Sequence, residues 1–135
     1  MFQFLSAVCE LGVGVSKYHG STLNYLKNPM NIKELVSRYM AGQRDFRNLN
    51  LIAANLRNMN LSGTNLTGSN LSGANLTRTN LSHANLTDAT LTGANLTETN
   101  LNGANLTDAN LSQVNLNDAY LKGAVMTNVP SSAKG

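Results

Sequence analysis

The sequence has 135 residues, which is typical of one domain, and only 13% of them are charged. Ten Lys and Arg residues against seven Asp and Glu residues give a formal net charge of +3. No stripe of basic residues interleaved with aromatic ones runs through the sequence, which argues against a nucleic-acid partner. Cys9 is the only cysteine, which excludes an internal disulfide and a cysteine-based zinc cluster. A reducing compartment, the cytoplasm, is therefore expected.

Residues 1–29 begin with an apolar run, MFQFLSAVCELGVGV. This run has no basic region before it, and Glu10 interrupts it, so it makes a poor signal peptide. It is also too short to span a bilayer. We therefore expect no association with a membrane. Two interpretations of residues 1–29 stay open: a segment that packs beside the next helix, or an upstream extension of the reading frame.

Residues 30–43 are expected to form an amphipathic capping segment, with a helix over residues 31–41. Asn31 followed by Glu34 is a variant of the capping box, and Gly42 can end the helix. We expect one apolar side to cover the start of the next region and to protect its sheet edges. That side is made of Ile32, Leu35, Val36, Tyr39 and Met40.

Residues 44–128 repeat with a period of five: Phe46, then Leu at every fifth position from Leu51 to Leu121, then Met126. On a helix this period would spread the leucines around every side, and on a straight strand it would alternate them between two faces. A backbone that turns a corner every five residues instead points each leucine toward one axis. Four corners close a coil of twenty residues, so seventeen units from Arg44 to Asn128 make a little over four coils.

The other positions of each unit support this geometry. Two residues before the central leucine the side chains are small, as at Ala74 and Thr79, which suits a crowded inward position. Asn precedes the leucine almost throughout, and Ser, Thr, Gly, Asn and Asp dominate the two positions after it. These are turn-forming residues, and we expect them to point outward.

The motif A-N-L-[S/T]-G, repeated in unbroken register over residues 44–128, resembles the pentapeptide-repeat family. The entry segment MNIKELVSRYMAGQRDF is similar to the start of many cyanobacterial members of that family. The resemblance implies an all-β fold, a right-handed four-sided β-helix, here with an N-terminal helix as its cap and residues 129–135 as a tail. A left-handed β-helix with six-residue units is excluded because the register never shifts to six.

No set of side chains in the repeats points to catalysis. Residues twenty apart stack on one face about 4.8 Å from each other, which pairs Arg78 with Glu98 and Asp88 with Asp108. The first pair is expected to be an exposed ion pair, and the second lacks further oxygen ligands for a cation. His83 has no carboxylate or cysteine in its column. We therefore expect no catalytic, cofactor-binding or metal-binding residue, and no enzyme activity.

One face of the predicted solenoid, on the units of Leu51, Leu71, Leu91 and Leu111, carries no charge. The face of Leu61, Leu81, Leu101 and Leu121 bears only His83 and Lys122. A neutral surface costs less to desolvate than a charged one, so we expect one of these faces to dock a protein partner, with the uncharged face as the first candidate. Its central contacts would be Ser72, Thr92 and Ser112. The alternative is an inert spacer surface.

The repeat code relaxes at the C-terminal end, where Tyr120 and Val125 take positions that Asn fills elsewhere, and Val129 and Pro130 follow. Apolar residues beside an open coil end require cover. Either the tail folds over them or a second copy of the protein does. We expect a weak homodimer through Tyr120, Val125 and Met126.

The sequence thus predicts a non-enzymatic interaction or scaffold protein, the class that the family resemblance implies. The alternative is inhibition of a type II topoisomerase by mimicry of duplex DNA, a property of some pentapeptide-repeat proteins. Duplex DNA carries about one negative charge per 1.7 Å, so a mimic should be strongly acidic. Residues 44–128 instead contain five basic and five acidic residues, which disfavours mimicry.

Overall fold

The structure is a computed structural model that describes residues 28–127. It contains one α-helix, α1, at Ile32–Met40, and two short strands, β1 at Asn105–Leu106 and β2 at Val125–Met126, within the described residues. Isolated parallel bridges connect the rest of the repeat region. The expectations for the N-terminal extension and for Val129, Pro130 and the C-terminal tail lie outside residues 28–127.

The two ends of α1 are formed as the sequence predicts. The Asn31 side chain accepts a hydrogen bond from the N–H of Lys33 at 2.9 Å, so Asn31 is the N-cap. At the other end Gly42 has a φ of 99°, and its N–H bonds to the carbonyl of Tyr39. The N–H of Gln43 bonds to the carbonyl of Arg38, which completes a Schellman motif. Glu34 forms an ion pair with Arg38 at 2.6 Å.

The apolar side of α1 is narrower than the sequence suggested. Leu35 is completely buried, and Ile32 and Tyr39 pack against the core. Val36 and Met40 are 37% and 79% exposed, so placing them on the covering side was wrong. Each follows a core-facing residue by one position, which rotates it by about 100° around the helix axis and turns it to solvent.

Hydrogen bonds tie α1 and its flanks to the first repeats. Before the helix, the N–H of Met30 donates to the carbonyl of Asn50 at 2.8 Å. Near its end, the Tyr39 hydroxyl donates to the carbonyl of Ser62 at 3.0 Å, and the Arg44 guanidinium lies 3.7 Å above the Tyr39 ring. The helix is therefore held near two different sides of the repeat region.

Parallel pairing between residues twenty apart builds the repeat region. The bridges Asn50–Asn70, Asn55–Asn75, Asn60–Asn80 and Asn65–Asn85 fall on four consecutive units. The strands β1 and β2 continue the series, with Asn105 paired to Val125. Because every pairing spans four units, the backbone turns four corners before it lies beside itself. We call each twenty-residue turn a coil.

A β-turn follows the central residues from Phe46 to Leu121, and its third position has a positive φ in every case except Asp118. In the turn after Leu71, the N–H of Ala74 donates to the Leu71 carbonyl at 3.0 Å, and Gly73 has a φ of 65°. Type II turns require this conformation, which favours glycine. Nine described residues other than glycine also adopt it, among them Ala53 with a φ of 56°.

Ala53 and Gly73 occupy equivalent positions in successive coils and provide a matched test of this backbone requirement. A Cβ added to Gly73 would meet nothing within 4 Å, so Gly73→Ala probes the backbone alone. We expect Gly73→Ala to lower, and Ala53→Gly to raise, the free energy of unfolding by about 1 kcal/mol, because the left-handed conformation penalises a side chain. Urea unfolding measures both changes. Changes of the same sign in the two variants would contradict this explanation.

The interior is filled by the central residues of the units, as predicted. Phe46 and the leucines from Leu51 to Leu116 are all almost completely buried, and alanines two positions earlier fill the space between them. The buried hydroxyls at that position are satisfied by the backbone: Thr79 donates to the carbonyl of Leu56 at 2.7 Å, and Thr99 to that of Leu76 at 2.6 Å. Leu121 and Met126, in the last coil, are only partly buried.

The asparagine before each leucine has a more specific role than the sequence indicated. Its side-chain oxygen accepts the backbone N–H of the residue two positions later, as from Thr77 to Asn75 at 3.1 Å. The Thr77 hydroxyl donates to the same oxygen at 2.7 Å. These asparagine side chains therefore lie along the backbone and accept hydrogen bonds from its N–H groups. From the sequence we expected them only to point outward at a turn.

Candidate interaction surface

The neutral face is the surface formed by the units of Leu51, Leu71, Leu91 and Leu111. Three successive parallel bridges, Asn50–Asn70, Asn70–Thr90 and Thr90–Asn110, hold its coils in register. The residues that follow the four leucines are Ile52, Ser72, Thr92 and Ser112. The structure thus brings the three sequence-predicted contacts, Ser72, Thr92 and Ser112, into one column on a regular backbone.

Ser72 and Ser112 are held by their own units. The Ser72 hydroxyl donates to the Asn70 side chain at 2.6 Å, and its backbone N–H bonds to the same oxygen at 3.0 Å. Ser112 repeats both bonds with Asn110 at the same distances. Because each hydroxyl hydrogen is already engaged, these two side chains can offer only oxygen lone pairs to a partner.

Thr92, at the centre of the column, differs from its neighbours. Threonine, at position 90, replaces the asparagine of the other units, so no amide oxygen is available to the N–H of Thr92. Within residues 28–127, neither that N–H nor the Thr92 hydroxyl has a hydrogen-bond partner. The sequence did not lead us to this feature, although the unit ATLTG, with threonine in place of asparagine, indicates it. The centre of the neutral face therefore presents two free donors.

One end of the neutral face is apolar. Ile52 takes the place that serine or threonine fills in the following coils, and its side chain is 43% exposed. Its backbone N–H still bonds to the Asn50 side chain, at 3.2 Å, so the local fold is the regular one. A partner that contacts Thr92 and extends toward the N-terminus would meet an apolar side chain about two coil spacings away, roughly 10 Å.

The charged residues that stack on the other faces of the repeats are exposed to solvent, as expected. Arg78 and Glu98 form an exposed ion pair at 2.5 Å between Nε and Oε1, as predicted. The Asp108 carboxylate accepts a bond from the Thr127 hydroxyl at 3.2 Å. No group of three or more potential metal-binding side chains occurs between residues 28 and 127. Near the helix, a hydrogen bond from Arg47 lowers the pKa of the Asp45 carboxyl, a pair that the sequence did not suggest.

His83 is exposed at the surface and lies beside a glycine of the next coil. Its imidazole lies against Gly103 of the next coil, with Nδ1 2.6 Å from the place where a Cβ of residue 103 would be. Only a glycine at position 103 leaves room for the ring in this orientation. The His83 ring thus covers the backbone of the turn that contains Gly103.

The three predicted C-terminal contact residues differ in their exposure. Tyr120 and Val125 are 55% and 53% exposed and form an apolar part of the surface on the last coil. Met126 instead packs against the core and is partly buried, so its side chain is less available than expected. The weak homodimer through this end stays a prediction.

Comparison with known proteins identifies the repeat. Residues 45–82 and 104–129 match the family model for pentapeptide repeats, in eight copies. The crystal structure of alr5209, a pentapeptide repeat protein from Nostoc Pcc 7120, is 36% identical, with a TM-score of 0.67. The match covers 76% of this chain and 92% of that chain. The chain belongs to the pentapeptide-repeat family. Its fold is therefore a right-handed β-helix.

A second solved structure, of the plasmid-mediated fluoroquinolone resistance protein QnrB1, is 22% identical, with a TM-score of 0.55. The match covers 61% of this chain but only 38% of the QnrB1 chain. At this identity the likeness concerns the fold alone. No curated protein matches the sequence. Over residues 28–127, no helix is long and apolar enough to cross a bilayer.

Proposed function

We propose that this pentapeptide-repeat protein is a non-enzymatic scaffold that acts in the cytoplasm and binds a protein partner through its neutral face. The observation that carries the proposal is the pair of unpaired donors on Thr92, at the centre of an uncharged face held in register by parallel bridges. On that face the neighbouring N–H groups of Ser72 and Ser112 are satisfied internally. A partner oxygen would find its hydrogen bonds concentrated at Thr92.

Two physical properties make this face suitable for docking. Desolvation of hydroxyl and amide groups costs less than desolvation of charges, and partner groups can replace the lost water. The backbone is fixed by a hydrogen-bond ladder, so binding would lose little conformational entropy on this side. A flexible loop surface would have to be ordered first.

We further infer that the repeats close about four coils and that α1 is the cap of their N-terminal end. The pairing of residues twenty apart supports the number of coils, since the repeat pattern runs from Arg44 to Asn128. The complete burial of Leu35, in one apolar cluster with the leucines of the repeats, supports the cap. A capped end leaves the sides of the solenoid as its main binding surfaces.

Triple lysine substitution tests the neutral face. We expect the variant Ser72→Lys, Thr92→Lys, Ser112→Lys to lose a partner that the wild-type protein captures from a lysate of its source organism, because three charges would remain desolvated in the interface. Quantitative mass spectrometry of cross-linked captures measures the loss.

The matched control is Thr67→Lys, Thr87→Lys, Thr107→Lys, which adds the same charge at equivalent positions on a neighbouring side. Thr67, Thr87 and Thr107 donate to asparagine side chains just as Ser72 and Ser112 do. The control should retain the partner. Equal capture by both variants, or equal loss from both, would reject the neutral face as the docking site.

A further inference from the structure

Asn102 and Gly103 form the sole Asn-Gly dipeptide of the sequence. They occupy the two positions after Leu101, where the other repeat units that end in glycine have Ser, Thr or Lys before it. An asparagine followed by glycine is prone to deamidation, because no side chain hinders attack by the next backbone nitrogen. The dipeptide is therefore a latent chemical modification site within the repeats.

Both reacting groups are held by one residue of the last coil. The Asn102 side-chain oxygen accepts the backbone N–H of Lys122 at 2.8 Å. The N–H of Gly103 donates to the Lys122 carbonyl, also at 2.8 Å. This arrangement arises because Tyr120 replaces an asparagine, so Lys122 takes its acceptor from the coil before. The backbone N–H of Asn102 is engaged as well, with the Asn100 side chain at 3.0 Å.

Deamidation requires these bonds to open. The Gly103 nitrogen loses its proton and bonds to Cγ of Asn102, while the bond between Cγ and the amide nitrogen of Asn102 breaks and that nitrogen leaves as ammonia with the proton. Water then opens the cyclic imide at either carbonyl, which leaves a carboxylate at position 102. In the structure the Gly103 proton is donated to Lys122, the Asn102 side chain is fixed by Lys122, and the His83 ring covers Gly103.

We propose that Asn102-Gly103 is a deamidation site that the closed C-terminal coil keeps unreactive and that opening of this coil releases. The last coil is the element expected to open first, because a coil at the end of a solenoid is stabilised by one neighbour instead of two. Its last two central residues, Leu121 and Met126, are only partly buried, in contrast to the leucines of the inner coils.

The reaction would in turn destabilise this end of the solenoid. Opening of the imide at the backbone carbonyl gives isoaspartate, which inserts one extra carbon into the backbone between positions 102 and 103. Every pairing that spans this site, such as those of Asn85 with Asn105 and of Asn100 with Tyr120, depends on the five-residue register. A lengthened backbone cannot keep that register. A transient opening of the last coil would therefore leave the protein permanently modified and this end of the solenoid less stable.

Substitution of Lys122 tests the proposal in the full-length protein. Lys122→Pro removes the N–H that binds Asn102, and proline suits this position because it is the second residue of a turn whose third residue is Gly123, with a φ of 74°. Lys122→Ala keeps the N–H and serves as the control. Asn102→Ser, the residue of equivalent earlier units, removes the reactive amide.

Deamidation is followed by peptide mapping with mass spectrometry that separates aspartate from isoaspartate. We expect the folded wild type to react at least about tenfold more slowly than the same protein in urea, and Lys122→Pro to react about two- to tenfold faster than the wild type. Lys122→Ala should match the wild type, and Asn102→Ser should gain no mass at this site. Equal rates in folded and unfolded wild type, or equal rates in all Lys122 variants, would overturn the proposal.

Hydrogen exchange provides a second measurement that requires no variant. Below the unfolding transition, increasing urea should raise the exchange rate of the Gly103 and Lys122 amides and the deamidation rate in parallel, because both report opening of the same coil. A deamidation rate that stays constant while these amides lose protection would also overturn the proposal.

Discussion

Replacement of Leu81 by alanine is expected to lower the free energy of unfolding by about 2 to 5 kcal/mol. Leu81 is completely buried, with the equally buried Leu61 and Leu101 at the same position of the coils on either side. The backbone around it is held on both sides by the parallel ladder, with bonds from Leu81 to Asn100 and from Asn80 to Met59. The structure cannot collapse into the cavity without breaking these bonds, so most of the cost should remain. Urea unfolding of the purified variant measures it.

Leu121→Ala is the matched control for this prediction, because Leu121 occupies the same column in the last coil. Its side chain is only partly buried, and the cavity left by its truncation would open to solvent. We expect a loss clearly smaller than that of Leu81→Ala. Comparable losses for the two variants would mean that stability is not concentrated in the inner coils.

Leu35→Ala should destabilise the protein by a similar amount, about 2 to 5 kcal/mol, because Leu35 is the one completely buried side chain of α1. Detachment of the helix would also expose the first coil, whose unpaired backbone groups invite association between molecules. We therefore expect a lower unfolding midpoint in urea together with increased light scattering on mild heating.

Met40→Ala is the control on the same helix, since Met40 is almost entirely exposed. Its effect on the free energy of unfolding should stay within about 0.5 kcal/mol. If Leu35→Ala were as mild as Met40→Ala, the helix would be dispensable for stability, and its proposed role as a cap would be wrong.

Much of the fold could be predicted because the period of five leaves only one geometry. The recurrence of leucine from Leu51 to Leu121 excludes a helix and a flat strand, and glycine at the last position of many units identifies the turns. The ends of α1 were equally predictable, since Asn31 and Gly42 act through bonds to their own neighbours. Val36 and Met40 were misplaced because the sequence does not show how far the core extends around the helix.

The candidate surface was predictable only in outline. The absence of charge beside Ser72, Thr92 and Ser112 follows from the twenty-residue spacing alone. The two unpaired donors of Thr92 could not be predicted in this way. They become apparent only once it is known that the asparagine before each leucine binds the N–H two positions later. The contact of His83 with Gly103 was also hidden, since side-chain direction at a surface turn is not encoded in the period.

The rigid pairing of residues twenty apart constrains how such a gene can change in length. Loss or gain of a single codon within the repeats would shift every subsequent leucine out of the interior, whereas duplication or deletion of a whole coil would preserve all pairings. Members of different size should therefore differ by multiples of the five-residue unit, and by complete coils where the stacked surface columns are also kept, with departures tolerated only beside the two ends.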